Sequence, residues 1–111
     1  MGTELDIREI VKRILTEYAG YKISYGEVDT ETIFDDEKGH YELMHVGWIG
    51  RRRIHGCLLH VDVYGDKIWI QHDGTEGGIA NELVEAGVPR DQIVLAFHHP
   101  DSRRYTDFAV A

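Results

Sequence analysis

Residues 51–73 read RRRIHGCLLHVDVYGDKIWIQHD, and this stretch decides the fold. Ile54 to Tyr64 mixes β-branched, aromatic and apolar residues over a length that suits one long strand. Lys67 to His72 resumes the pattern after Gly65-Asp66. A two-residue turn needs positive φ at one or both positions, which glycine and aspartate tolerate best. The stretch is therefore expected to be a β-hairpin. If Tyr64 pairs with Lys67, then Val63 faces Ile68, Val61 faces Ile70 and Leu59 faces His72. Cys57, Leu59, Val61, Val63, Ile68 and Ile70 then share a core face. Ile54, Leu58, His60, Asp62, Trp69 and Gln71 share the other. That second face is half apolar, so a helix, the C-terminal tail or another subunit should cover part of it.

Upstream, Ile7, Ile10, Val11, Ile14, Leu15 and Tyr18 form one helical stripe, predicting a helix over about 4–19. Thr3 or Asp6 can cap its start, Asp6 with Glu9 at capping-box spacing, and Gly20 suits a left-handed residue after its end. Residues 21–25 read as a connection. Glu27 to Phe34 alternates like a half-buried strand, a polar turn follows, and Tyr41 to Trp48 is a second strand. Downstream, Thr75 can cap a helix with the stripe Ile79, Ala80, Leu83 and Val84, stopped by Gly87. Pro89 opens a short turn, Ile93 to Phe97 is a buried fifth strand, and residues 101–105 form a loop. Thr106 to Ala111 is too apolar to hang free and should dock. The fold class is α+β: an N-terminal helix, a four-stranded antiparallel meander, a second helix, and a short fifth strand.

At 111 residues the chain is expected to form a single domain over 1–111. No apolar run approaches a membrane span and the N-terminus lacks a signal-peptide core, so a cytoplasmic protein without membrane association is expected. Cys57 is the sole cysteine, which excludes an internal disulfide or a Cys-based metal cluster. A net charge of −8 disfavours wholesale binding to nucleic acid. The acids gather at Glu27, Asp29, Glu31, Asp35, Asp36, Glu37 and Glu42. The arginines gather at Arg51, Arg52, Arg53, Arg103 and Arg104, the one basic patch through which DNA could be contacted directly.

The chain has seven histidines. His60 and Asp62, near Gln71 across the ladder, with His98-His99 elsewhere, raise a small-ligand or metal reading. Ligands at i and i+2 of one strand do not close a site, and no HExxH-type pattern exists, so no metal ligand is assigned. Cys57, placed on the core face, reads as a small hydrophobe rather than a nucleophile. Gly74 to Gly78 lacks the lysine of a phosphate loop and reads as a plain helix-start loop. No catalytic residue and no cofactor follow from these patterns.

Four stretches together resemble one known family: YKISYGEVDTETIFDDEKGHYELMHVGW (21–48), RRIHGCLLHVDVYGDKIWIQHDGTE (52–76), IANELVEAGVPRDQIVLAFHHP (79–100) and YTDFAVA (105–111). They are similar to the XisI family, controlling factors of fdxN-element excision in filamentous nitrogen-fixing bacteria. IWIQHDGTE and GVPRDQIVLAFHHP carry the most specific part of the likeness. The resemblance implies a regulatory protein, not an enzyme, in DNA recombination during heterocyst differentiation. It implies action beside a site-specific recombinase and a nuclease-like XisH companion. It brings no catalytic motif, so no residue role is transferred. Combined with the half-apolar sheet face, it leads to protein–protein contact, with Ile54, Leu58, His60 and Trp69 as candidate interface residues. The same face is expected to drive self-association into a dimer or larger homo-oligomer.

Overall fold

A computed structural model describes residues 6–21 and 26–111. The chain runs α1 (Ile7–Ala19), β1 (Glu27–Asp35), β2 (His40–Ile49), β3 (Arg52–Tyr64), β4 (Lys67–Asp73), α2 (Ile79–Glu85), β5 (Ile93–Leu95) and α3 (Pro100–Arg103). The five strands form one sheet in the order β1-β2-β3-β4-β5. The first four pair antiparallel as a meander, and β5 joins β4 in parallel after the crossover through α2. The α+β expectation holds.

Alternation places one row of side chains under the helices. Tyr41, Leu43, Leu59, Val61, Val63, Ile68, Ile70 and Ile93 pack with Val11 and Leu15 of α1 and Ile79 and Leu83 of α2, and all are buried. At about 25 cal/mol per Å² of apolar surface, each of the large aliphatics contributes roughly 1.5–3 kcal/mol. This cluster is what fixes α1 and α2 to a single face.

The turn at Gly65-Asp66 forms as expected, with Tyr64 opposite Lys67 and Gly65 at φ +60°. The register expected beyond it does not persist. Val61 faces Ile70, but His60 faces His72 and Leu59 faces Asp73, leaving Gln71 as an extra residue in β4. A second slip lies between β2 and β3. Leu43 faces Leu59 while Met44 faces Cys57, so Leu58 is extra in β3. Each bulge reverses the alternation beyond it.

Three assignments change as a result, one of them Ile54, which pairs with Gly47 and so alternates onto the helix side. Leu58 packs against the core cluster instead of the opposite face. Cys57, opposite Met44, falls on the face of Glu42 and lies outside the core cluster. Burial first, and then the Glu42 carboxylate, push its thiol pKa up.

Other boundaries move. In α1, Asp6 caps by accepting from the Glu9 amide, while Gly20 ends the helix in the right-handed region, not the left-handed one. The expected Thr3 cap and the connection through 22–25 lie outside the described residues. Thr75 does not cap α2. Asp73 Oδ2 accepts from the Ile79 amide instead, and Oδ1 accepts from the Thr75 amide. The fifth strand stops at Leu95, and Pro100 opens the short α3 where a loop was expected. The tail docks: Ala109 N–H donates to the Ile93 carbonyl, and Phe108 packs on the core cluster.

Candidate functional site: the open face of the sheet

Among the described residues, the face opposite α1 and α2 is covered only at its β4–β5 side. There Val94 is fully buried and Arg103 lies 5.6 Å over the Trp69 ring. The Arg103 guanidinium donates to the carbonyls of Ala96, His98 and Val110, which fastens the C-terminal segment across this side. The C-terminal segment is thus the cover that the half-apolar face requires. Towards β1 the face stays open, with Ile33 and Trp48 each about half exposed.

At the centre of this face sits Asp62. It is 3% exposed and is the one polar residue among the buried ones described. A buried carboxylate is tolerated only when hydrogen-bonded, and here four side chains surround it. His40 Nδ1 is 2.6 Å and His60 Nε2 is 2.9 Å from Oδ1, while the Tyr64 hydroxyl (3.2 Å) and Gln71 Nε2 (3.1 Å) donate to Oδ2. Facing an ionised oxygen, each histidine nitrogen donates a proton. Burial by itself would raise the Asp62 pKa. The hydrogen bond from His40, with the charge and hydrogen bond of His60, outweighs burial and holds the carboxyl below its usual range.

Strand geometry explains the convergence. His60, Asp62 and Tyr64 alternate along β3, His40 is the cross-strand partner of Asp62, and Glu42 is the partner of His60. The bulge at Gln71 brings its amide onto the same carboxylate. Glu42 Oε1 stands 3.9 Å from His60 Nδ1. The sequence reading found His60, Asp62 and Gln71 but missed His40, Glu42 and Tyr64. His40 begins β2, one residue before the expected start.

The candidate interface residues do not form one patch. His60 and Trp69 lie on the open face, Trp69 opposite Asp62 and partly under Arg103. Leu58 packs against the helix-side core, and Ile54 pairs with Gly47 beyond the Leu58 bulge, in alternation with Leu58. The candidate basic patch is also divided. Arg51, Arg52 and Arg53 sit at the β2–β3 turn, where Arg53 lies 5.2 Å over Trp48. Arg103 and Arg104 belong to the opposite end of β3. Trp69 pairs with Asp62, ten residues along the strand from Arg52, a separation of about 33 Å. Arg103 is committed to three carbonyls and Arg104 to Tyr105. His98 and His99 lie in the C-terminal segment and take no part in the Asp62 cluster.

The fold and this face together define a small sheet domain with one helix-covered side and one partly open side built around a hydrogen-bonded carboxylate. Its family is shown directly: the XisI protein family model matches residues 1–110, and the chain belongs to the XisI family. An XisI-like protein from Anabaena variabilis ATCC 29413 is 45% identical, with a TM-score of 0.88 over 95% of this chain and 96% of that one. The fdxN element excision controlling factor XisI from the same strain is 33% identical, with a TM-score of 0.80 over 95% and 96%. No curated protein matches.

Proposed function

We infer that this protein helps to control excision of a DNA element without catalysing it, by holding another protein against the open side of its sheet. The carrying observation is the surface itself. Ile33 of β1 and Trp48 of β2 are large apolar groups left half exposed, and among the described residues β1 is an edge strand of the sheet. Such an edge and patch are adapted to a partner. The partners that fit the family are an XisH-like companion and a site-specific recombinase. Glu27, Asp29 and Glu31 line the same edge and favour a basic surface on the partner. Direct contact with DNA is the weaker reading, because the arginines lie at two separate ends and both clusters include residues already engaged within the chain.

The test is co-purification with an XisH-like companion, followed by mass-resolved chromatography at two salt concentrations. A stoichiometric complex that survives high salt and is lost on Trp48→Glu supports the reading. A homo-oligomer that excludes the companion, or a complex indifferent to both Trp48→Glu and Ile33→Glu, overturns it. Salt-sensitive binding to duplex DNA that falls with Arg51→Ala and Arg52→Ala would establish the alternative.

A further inference from the structure

We propose that His40, His60 and Asp62 form a binding site for a first-row divalent cation, zinc foremost, on the open face of the sheet. The inference starts from the donor set. Two imidazole nitrogens and a carboxylate oxygen, all within 4.8 Å of one another, are the ligand types that zinc and its neighbours prefer. They come from two adjacent strands rather than from one. The objection that residues at i and i+2 cannot close on an ion is therefore met by the third ligand, His40, arriving across the ladder.

The arrangement around the three ligands favours the same conclusion. Tyr64 and Gln71 occupy Asp62 Oδ2, which anchors the carboxylate and leaves Oδ1 turned towards the two rings. Metal-bound histidine is normally oriented through its outer nitrogen by a carboxylate or carbonyl. His60 has that group at hand, since Glu42 Oε1 is 3.9 Å from Nδ1. Around a tetrahedral zinc, donor atoms are about 3.3 Å apart. His40 Nδ1 and His60 Nε2 now lie 2.6 and 2.9 Å from Oδ1. The rings must swing outward by roughly half an ångström, and their side chains, 42% and 32% exposed, face room to do so.

On binding, each ring gives up the proton at its inner nitrogen and carries it on the outer one. His60 then donates to Glu42 in place of Asp62. Asp62 exchanges two N–H donors for one cation, and solvent fills the outward position. Three protein ligands with one open position is the pattern of an accessible site, not of a closed structural one.

Zinc titrated calorimetrically into tag-free, chelator-stripped protein tests this. The expected result is one saturable site per chain. Binding is lost in His40→Ala and His60→Ala, weakened about tenfold in Glu42→Gln, and unchanged in the His98→Ala/His99→Ala double variant. Cobalt should give visible d–d absorption at the same stoichiometry, displaced by zinc. Should the histidine variants fail to fold, nitrogen-15 imidazole spectra of the unaltered protein decide instead. Zinc should move the His40 and His60 ring resonances and exchange their tautomers, leaving His98 and His99 unmoved. The absence of a saturable site would overturn the proposal. So would zinc shifts spread across all the histidines, or binding that survives loss of both His40 and His60.

Discussion

Replacing Asp62 with asparagine separates two opposed effects in metal-free protein. Removing a buried charge relieves desolvation, and such exchanges are often neutral or stabilising. Here the hydrogen bonds prevail, because the folded protein holds the carboxyl below its usual pKa and thus favours the charged form. Asparagine keeps the shape, and its oxygen can still accept from His40 and His60. Its amide can be accommodated if the Tyr64 hydroxyl and the Gln71 amide reverse their roles. What is lost is charge assistance, on the order of 1 kcal/mol per fully buried bond. None of these bonds is fully buried: Tyr64 and His40 are almost half exposed, His60 is about a third exposed and Gln71 is half-buried, so the four together count for about two. The expected destabilisation is roughly 2 kcal/mol, about 8 °C in Tm for a chain of this size. Asp62→Ala, which strands all four donors, should cost about 3 kcal/mol, and Tyr64→Phe less than about 1 kcal/mol. Chemical denaturation in the presence of a chelator measures the series. An Asp62→Asn protein as stable as the unaltered one, or more so, would refute the reasoning and show that the buried charge is a net burden.

Three further outcomes follow from the same structure. Tyr41, fully buried, donates to Asp36 Oδ1 at 2.8 Å, and this bond is the first cause of the lowered Asp36 pKa, ahead of Lys12. Tyr41→Phe should raise that pKa in a carbon-13 carboxyl titration. Since a depressed carboxyl stabilises above its unfolded pKa of about 3.9 and loses that contribution as pH falls through the folded value, the variant should also show a shallower loss of stability on acidification. Gly39 has φ +74°, and a Cβ there would stand 2.4 Å from the Val63 carbonyl oxygen. Gly39→Ala should therefore cost at least about 1–2 kcal/mol by urea denaturation. Arg103→Ala removes three carbonyl contacts and the stacking on Trp69. It should red-shift Trp69 emission (read in a Trp48→Phe background) and speed proteolysis of the C-terminal segment, and unchanged emission would show that Arg103 does not hold the tail.

The elements near a strong local signal were legible in the sequence. The stripe of α1, the turn at Gly65-Asp66 and the core row Val61, Val63, Ile68 and Ile70 follow from periods of 3.6 and 2 and from turn chemistry. All four residues of that row are buried. The docked tail was legible from Phe108, which packs on the core, although Val110 stays about half exposed. Helix α2 was placed too early because Thr75 resembles a cap, whereas Asp73 reaches forward to the Ile79 amide. That choice depends on where Asp73 points, which is a matter of sheet register rather than of local propensity.

Register is also why the Asp62 cluster could not be found by counting. Starting from the pair Ile49–Arg52, each step back along β2 is matched by one step forward along β3 as far as Met44–Cys57. Without the extra Leu58, the count would set His40 opposite Val61, on the helix side. With it, His40 meets Asp62. The second bulge acts alike on β4: it leaves Gln71 free to donate to Asp62 and sets Asp73 opposite Leu59, towards the helices, where it binds the start of α2. One inserted residue costs a ladder position but redirects every side chain beyond it. The two insertions in this sheet serve both faces at once, completing the carboxylate cluster on one and anchoring α2 on the other. Deleting Leu58 or Gln71 should therefore do more harm than truncating either side chain to alanine, because deletion reverses the alternation that both faces depend on.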